Sequence, residues 1–275
     1  MKVHKLLIPL LILSFLLSNN KPLGRDKDPK LTTDISYSSL LYRKAIWTAL
    51  SLPGQRFMSS LIFPESSISH MNVDNAVAFT IDDGFCGIDN PEGDMTEKVR
   101  QLFKKYNAKA TFFVTGSHCK HTEKEDILSL LKDGHEIANH SMYDWPYNKY
   151  SEEDFIKDLD ETERVLSAYR AALPKWYRAP HAKFSKIMDK VIEDKGMVHI
   201  IADAFAIDTS IPDPDWISEY ILNKVKPGSI ILIHMPEKGV REWNYEAMEL
   251  ILIGLNNMNL NILNLTELSN LELNN

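Results

Sequence analysis

Ala76-Val77-Ala78-Phe79-Thr80-Ile81-Asp82-Asp83-Gly84 is a mostly apolar run that ends abruptly in two adjacent carboxylates and a glycine. An apolar stretch of this kind, without strict alternation, reads as a strand buried on both faces, the habit of parallel sheets covered by helices. Downstream of Ala76–Ile81, further short apolar runs occupy Ala110–Thr115, Glu136–Asn139, Trp176–Arg178, His199–Ala202, Ser229–Ile233 and Asn261–Leu263. Longer amphipathic stretches separate them, at Met95–Tyr106, Lys124–Lys132, Glu152–Ala171, Lys186–Lys195, Trp216–Val225 and Tyr245–Asn256. Thr122, Ser151, Ser185 and Asp215 suit the N-caps of several of these helices. The alternation predicts an α/β fold of repeated βα units around a parallel sheet or barrel, with about seven strands. Leu-Thr-Glu-Leu near the C-terminus reads as a closing helix.

The chain has 275 residues, 44% of them hydrophobic, enough to bury one large core. Its net charge of -7 and the lack of a long basic run exclude nucleic acid, whose binding leans on clustered Lys and Arg. Residues 1–22 are expected to be a signal peptide or signal anchor, because Lys2, His4 and Lys5 precede the apolar stretch Leu6–Leu17. A secreted, extracytoplasmic protein follows, touching membrane only if Leu17-Ser18-Asn19-Asn20, a poor cleavage site, leaves the anchor in place. Residues 23–74, with apolar stretches at Leu40–Leu52 and Phe57–Phe63, read as an N-terminal extension packed on the main domain or as an interface helix. The main domain is expected over 75–268, followed by a short tail at 269–275, and a monomer is expected. Two cysteines, Cys86 and Cys119, exclude a disulfide framework and leave both one bridge and two free thiols open.

In α/β barrels the functional groups sit where strands end at their C-terminal side. Asp82-Asp83 end the first strand here, His140 the third, Arg178 the fourth, Asp203 the fifth and His234 the sixth. Two like charges so close together call for a cation. A metal ion can bind one carboxylate and leave the other ionised as a general base; the bland alternative is that Asp-Asp-Gly is an ordinary turn. His140-Ser141-Met142-Tyr143-Asp144 spaces two ligand types so that one helical turn would put both on one face. With Asp83 they form three ligands, which leaves positions open as in catalytic sites. His118, Cys119 and His121 read as a solvated turn, His135 and His199 as structural. Asn264 is a candidate glycan acceptor.

Over about residues 75–268 the sequence resembles the polysaccharide deacetylases, the NodB-type domain of carbohydrate esterase family 4. Thr80-Ile81-Asp82-Asp83-Gly84 is similar to the family's Thr-Phe-Asp-Asp-Gly, and His140 to Asp144 to its His-Ser/Thr-x-x-His. Arg178-Ala179-Pro180-His181 is similar to Arg-x-Pro-aromatic, and Ile231-Leu232-Ile233-His234 to the Leu- and His-bearing last motif. Asp203 and Asp208 fall where the fourth motif is expected. The resemblance implies a distorted (β/α)7 barrel and hydrolysis of N-acetyl groups on chitin, chito-oligosaccharide or peptidoglycan.

It further implies Asp82 as base, His234 as acid and Arg178 as the group steadying Asp82, with Asp203 anchoring Arg178 or tuning His234. Pro180, His181 and Leu232 would meet the substrate, His181 through a backbone N–H and Leu232 in the acetyl pocket. One divalent ion would be held by Asp83, His140 and Asp144. The family's second His is Asp144 here, so the ligand set is Asp-His-Asp, suited to zinc first and also to manganese, cobalt or iron. His181 stands for an aromatic residue, with Trp145 or Phe205 available as a wall in place of a missing Trp. Two other readings compete: a catalytically silent carbohydrate-binding descendant, and an amidase acting on a small non-sugar amide.

Overall fold

A computed structural model describes residues 37–50, 54–169 and 175–273. The expected leader at 1–22 lies outside the described residues. Among those described, no helix is long and apolar enough to cross a membrane.

Among the described residues, eight parallel strands form one curled sheet: β1 (Ala76–Gly84), β2 (Thr111–Val114), β3 (Glu136–Asn139), β4 (Trp176–Tyr177), β5 (Val198–His199), β6 (Ala204–Phe205), β7 (Ile230–His234) and β8 (Asn261–Leu263). Their order is β5-β4-β3-β2-β1-β7-β6, with β8 pairing the start of β1. This is the incomplete (β/α)7-type barrel that the sequence led us to expect, with β6 as a strand that the apolar pattern missed. Two residues between Asp203 and Ala206 carry no periodicity, so only pairing with Ile231 and Leu232 of β7 defines it. Every residue of β1 is buried, as an apolar central strand between helical layers requires.

The helices follow as α1 (Tyr37–Leu50), α2 (Gln55–Ile62), α3 (Thr96–Lys105), α4 (Gly116–His121), α5 (Lys124–Lys132), α6 (Glu152–Leu166), α7 (Lys186–Asp194), α8 (Pro214–Leu222), α9 (Trp243–Asn257) and α10 (Leu265–Leu273). The 15-residue α6 shows how they are laid down. Ser151 caps it by accepting from the Asp154 amide, and Phe155, Leu159, Thr162 and Leu166 recur at helical spacing to form its buried stripe. Ser185 caps α7 in the same way, whereas α8 is capped by Asp213 and not by Asp215. Thr122 gives its hydroxyl to the His118 carbonyl, so α5 starts without a side-chain cap. α10 runs through most of the stretch expected as a tail, and Asn264 at its start is buried, donating to the Gly134 carbonyl and accepting from the Glu267 amide. That role leaves no accessible amide for a glycan.

The extension is part of the barrel wall. Gln55 pairs with the open edge of β6, donating to the Phe205 carbonyl at 2.8 Å and accepting from its amide at 3.2 Å. Residues Ile68 to Met71 fill the gap between β5 and β7, with the Ile68 amide on the His199 carbonyl and the Met71 amide on the Gly228 carbonyl, both at 2.9 Å. A Cβ at Gly228 would stand 1.8 Å from the Met71 carbonyl oxygen, so only glycine permits this crossing.

Candidate active site

The C-terminal ends of β1, β3, β4 and β7 converge on one cluster. Asp82 and Asp83 are the last two residues of β1 before its terminal Gly84, and both are buried. Asp83 has a φ of 56°, a left-handed turn that swings its carboxylate toward the loop after β3. One ligand atom from each of Asp83, His140 and Asp144 lies within 4.8 Å of the others. The expected helical turn does not bring the last two together. Residues 140–144 form an irregular bend in which Ser141 adopts a φ of 64°, fixed by its amide on the Asn139 side chain and its hydroxyl on Tyr177. Asp158 of α6 holds the same bend by accepting from the Met142 amide at 3.0 Å and the Tyr147 hydroxyl at 2.6 Å.

The orientation of His140 is informative about what fits between these groups. Its Nδ1 is 2.8 Å from the Arg178 carbonyl, which can only accept, so Nδ1 carries the proton. In the neutral ring Nε2 is then a lone pair, and it faces Oδ1 of Asp83 at 3.6 Å. Two electron donors facing each other in a buried pocket, with the Asp144 carboxylate beside them, make a donor set that a divalent cation completes. The backbone carbonyl behind His140 is the outer partner that metal-binding imidazoles ordinarily use.

Asp82 belongs to a different pair. Nη1 of Arg178 donates to its Oδ1 at 2.6 Å and to the Thr80 hydroxyl at 2.8 Å, while Nε donates to the Ile200 carbonyl and the guanidinium lies 4.0 Å over the Phe113 ring. That fixed plane keeps the carboxylate aimed.

His234 closes β7. Its Nδ1 is 2.9 Å from Oδ1 of Asp208, whose Oδ2 also accepts from the His234 amide at 2.8 Å and from Asn244 at 2.7 Å. Burial disfavours a charge on the imidazole, but Asp208, and more weakly Asp83, push its pKa up to about 9. Asp208 is correspondingly held below the ordinary carboxylate range, burial notwithstanding, by His234 and Arg241.

Asp203 is not at this site. Its carboxylate accepts from Arg56 of α2 at 2.5 Å, from Ser229 at 3.0 Å and from the Ile230 amide at 2.9 Å, so it neither anchors Arg178 nor tunes His234. Asp208, five residues further along the chain, is the acid beside His234. His181 has a φ of 57° in the short 3-10 turn Pro180–Ala182, and its Nε2 lies 3.2 Å from Oδ1 of Asp144. Leu232 packs half-buried against the core beside β6. Trp145 stacks on Tyr143 at 4.5 Å, the two rings flanking Asp144 in sequence, whereas Phe205 packs on Trp47 of the extension.

The loop expected as a solvated turn is instead α4, with His118 and Cys119 buried and Nδ1 of His118 at 3.1 Å from the Asp83 carbonyl. Cys86 and Cys119 are both free. His135 and His199 are structural: Nδ1 of His135 accepts from the Ala110 amide, and the His199 ring stacks on Phe184 at 3.8 Å. Arg241, Glu237 and Asn244 were missed by the sequence reading, since an Arg or Asn after the last strand carries no motif by itself.

The polysaccharide deacetylase family profile matches residues 71–200. A chitooligosaccharide deacetylase of Sinorhizobium fredii is 30% identical over 160 residues, which cover 58% of this chain and 71% of that one. A peptidoglycan-N-acetylglucosamine deacetylase of Bacillus cereus is 26% identical over 64% of this chain and 62% of its own length. Among solved structures, a mutant of a CE4 family pseudoenzyme with restored enzymatic activity superposes with a TM-score of 0.65 at 25% identity, covering 75% of this chain and 72% of that one. The chain belongs to the polysaccharide deacetylase family, as a NodB-type, carbohydrate esterase family 4 domain. It spans 43% of the Bacillus subtilis protein YlxY and less than two thirds of the Bacillus cereus deacetylase.

Proposed function

We propose that this protein is a secreted, metal-dependent N-deacetylase of amino-sugar polymers, acting on chito-oligosaccharide, chitin or peptidoglycan. The observation that carries the reading is a buried carboxylate, Asp82, clamped by Arg178 beside a three-ligand cluster, with His234, paired to Asp208, opposite it on the neighbouring strand. Asp83, His140 and Asp144 would hold one divalent ion, zinc in the first instance, with manganese, cobalt or iron also suited to two carboxylates and one imidazole. When bound, the ion supplies Lewis-acid polarisation of the acetyl carbonyl and of water.

The chain's own residues do the rest. Asp82, oriented by Arg178, takes a proton from water as the oxygen bonds to the acetyl carbon. The backbone N–H at His181 stands as donor to the developing oxyanion. His234, held as imidazolium by Asp208, gives its proton to the amide nitrogen as the C–N bond breaks, releasing acetate and a free amine. Leu232 and Pro180 would shape the acetyl pocket, and Trp145 would offer a ring to the sugar.

A catalytically silent descendant is the second reading, favoured by the similarity to a pseudoenzyme and by Asp144 at a ligand position. Acetate release from chito-oligosaccharides, peptidoglycan and small amides, with zinc, manganese or cobalt added in turn, separates the readings. Acetate from the glycans supports the deacetylase. Release from small amides alone points to an amidase, and none from any substrate with metal bound supports the silent descendant.

A further inference from the structure

Arg241 takes no part in the proposed mechanism, yet it is buried to 5% exposure beside the ligand cluster. It follows a tight loop after β7, closed by reciprocal 2.9 Å hydrogen bonds between Glu237 and Val240, and its own φ is 54°. That left-handed conformation is uncommon for a residue with a side chain. It delivers Nη1 to 2.9 Å from Oδ2 of Asp83. Glu237, itself buried and fixed by the Gly87 amide and the Asn90 side chain at 2.9 Å each, stands 3.8 Å from Nη2. The guanidinium is therefore held against Asp83 from behind.

The two oxygens of Asp83 have different surroundings. Oδ1 faces Nε2 of His140, inside the cluster, and Oδ2 receives the Arg241 N–H. We propose that Arg241 is a positioning residue that restricts Asp83 to one-oxygen ligation and loosens the site's hold on its ion, keeping a coordination position open for substrate. This rests on the reading of Asp83, His140 and Asp144 as a metal site. Two effects act in the same direction. The N–H occupies the second oxygen, and a fixed positive charge both repels the ion and draws electron density from the carboxylate. Take the guanidinium away, and the second oxygen is released to chelate while the repulsion vanishes. The ion is then bound more tightly and the open position that a catalytic site requires is lost.

Cobalt(II) titrated into the full-length wild type, Arg241→Met, Arg241→Gln and Arg241→Lys tests this, with affinity read by calorimetry and coordination by visible absorption, which weakens as coordination number rises. Arg241→Met is expected to bind cobalt about tenfold more tightly, the size of effect typical of groups behind a ligand, with weaker absorption per ion. Arg241→Gln, which keeps an N–H donor without the charge, is expected to bind more tightly with the wild-type spectrum, and Arg241→Lys to stay near wild type in both. A merely structural pair predicts the opposite sign, so unchanged or weaker binding in Arg241→Met, or in Arg241→Gln should the former not fold, overturns the proposal. Absence of cobalt binding by the wild type would overturn the metal-site reading as well, a result distinct from binding that ignores Arg241.

Discussion

Nδ1 of His234 lies 2.9 Å from Oδ1 of Asp208, although 26 residues of chain separate them. The pair sets the charge of the proposed acid. Because the folded pKa is raised from 6.5 to about 9, the stability contributed by the pair is fully present below pH 6.5 and is lost as pH rises through about 9.

Turnover follows the same group, since only the imidazolium can protonate the leaving amine. We expect kcat to fall above about pH 9. In Asp208→Asn the alkaline limb moves down toward 6.5, the ordinary imidazole value, and the pH profile of kcat reads this directly. An alkaline limb unmoved by the substitution would remove Asp208 from this role.

Asp82→Asn keeps the shape and the Thr80 and Arg178 neighbourhood but cannot take a proton. Loss of a general base typically costs about 10²–10⁴ in rate. Acetate release should fall by that much while metal content, measured on the same protein, stays at the wild-type level. Loss of metal along with activity would show that Asp82 is a ligand.

An ion that binds only the folded chain raises its stability by mass action, by about 2.7 kcal/mol at a free concentration 100 times Kd. Added zinc should therefore raise the Tm of the wild type, and a chelator should reverse the rise and abolish turnover. Asp144→Ala removes one of the three donors, so the zinc-induced shift should be largely absent from it. An equal shift in both proteins would place the ion elsewhere.

Arg56→Ala tests the extension. It removes the charged partner of Asp203, whose side chain is 1% exposed and whose pKa burial already pushes up, while Ser229 and the Ile230 amide remain. Leaving a buried charged acceptor short of a donor costs about 1–3 kcal/mol, and the partial exposure of Arg56 argues for the lower part of that range. Urea unfolding measures it, and a change within about 0.5 kcal/mol, as for ordinary surface substitutions, would mean the extension is only loosely docked.

Much of this protein could be read from local pattern. The apolar run ending at Asp82-Asp83, the alternation of runs behind it, and the polar residue at each strand end needed no tertiary information, because burial in a parallel sheet imposes hydrophobicity residue by residue. Asp83, His140 and Asp144 were legible for the same reason, each standing next to a signal that marks a strand end or a ligand spacing. The exchange of Asp203 for Asp208 was not legible. Asp203 stands just before β6 and Asp208 three residues after it, and which of them meets His234 depends on where the chain turns after β6 and on Arg56 arriving from far upstream to claim Asp203. The bend at Ser141, the helix that buries His118 and the return of Arg241 onto Asp83 are likewise settled by packing. Sequence periodicity records which residues must leave water. The direction in which a loop delivers a charged side chain is decided by the partners the folded chain brings to it, and those lie scattered along the sequence with no fixed spacing.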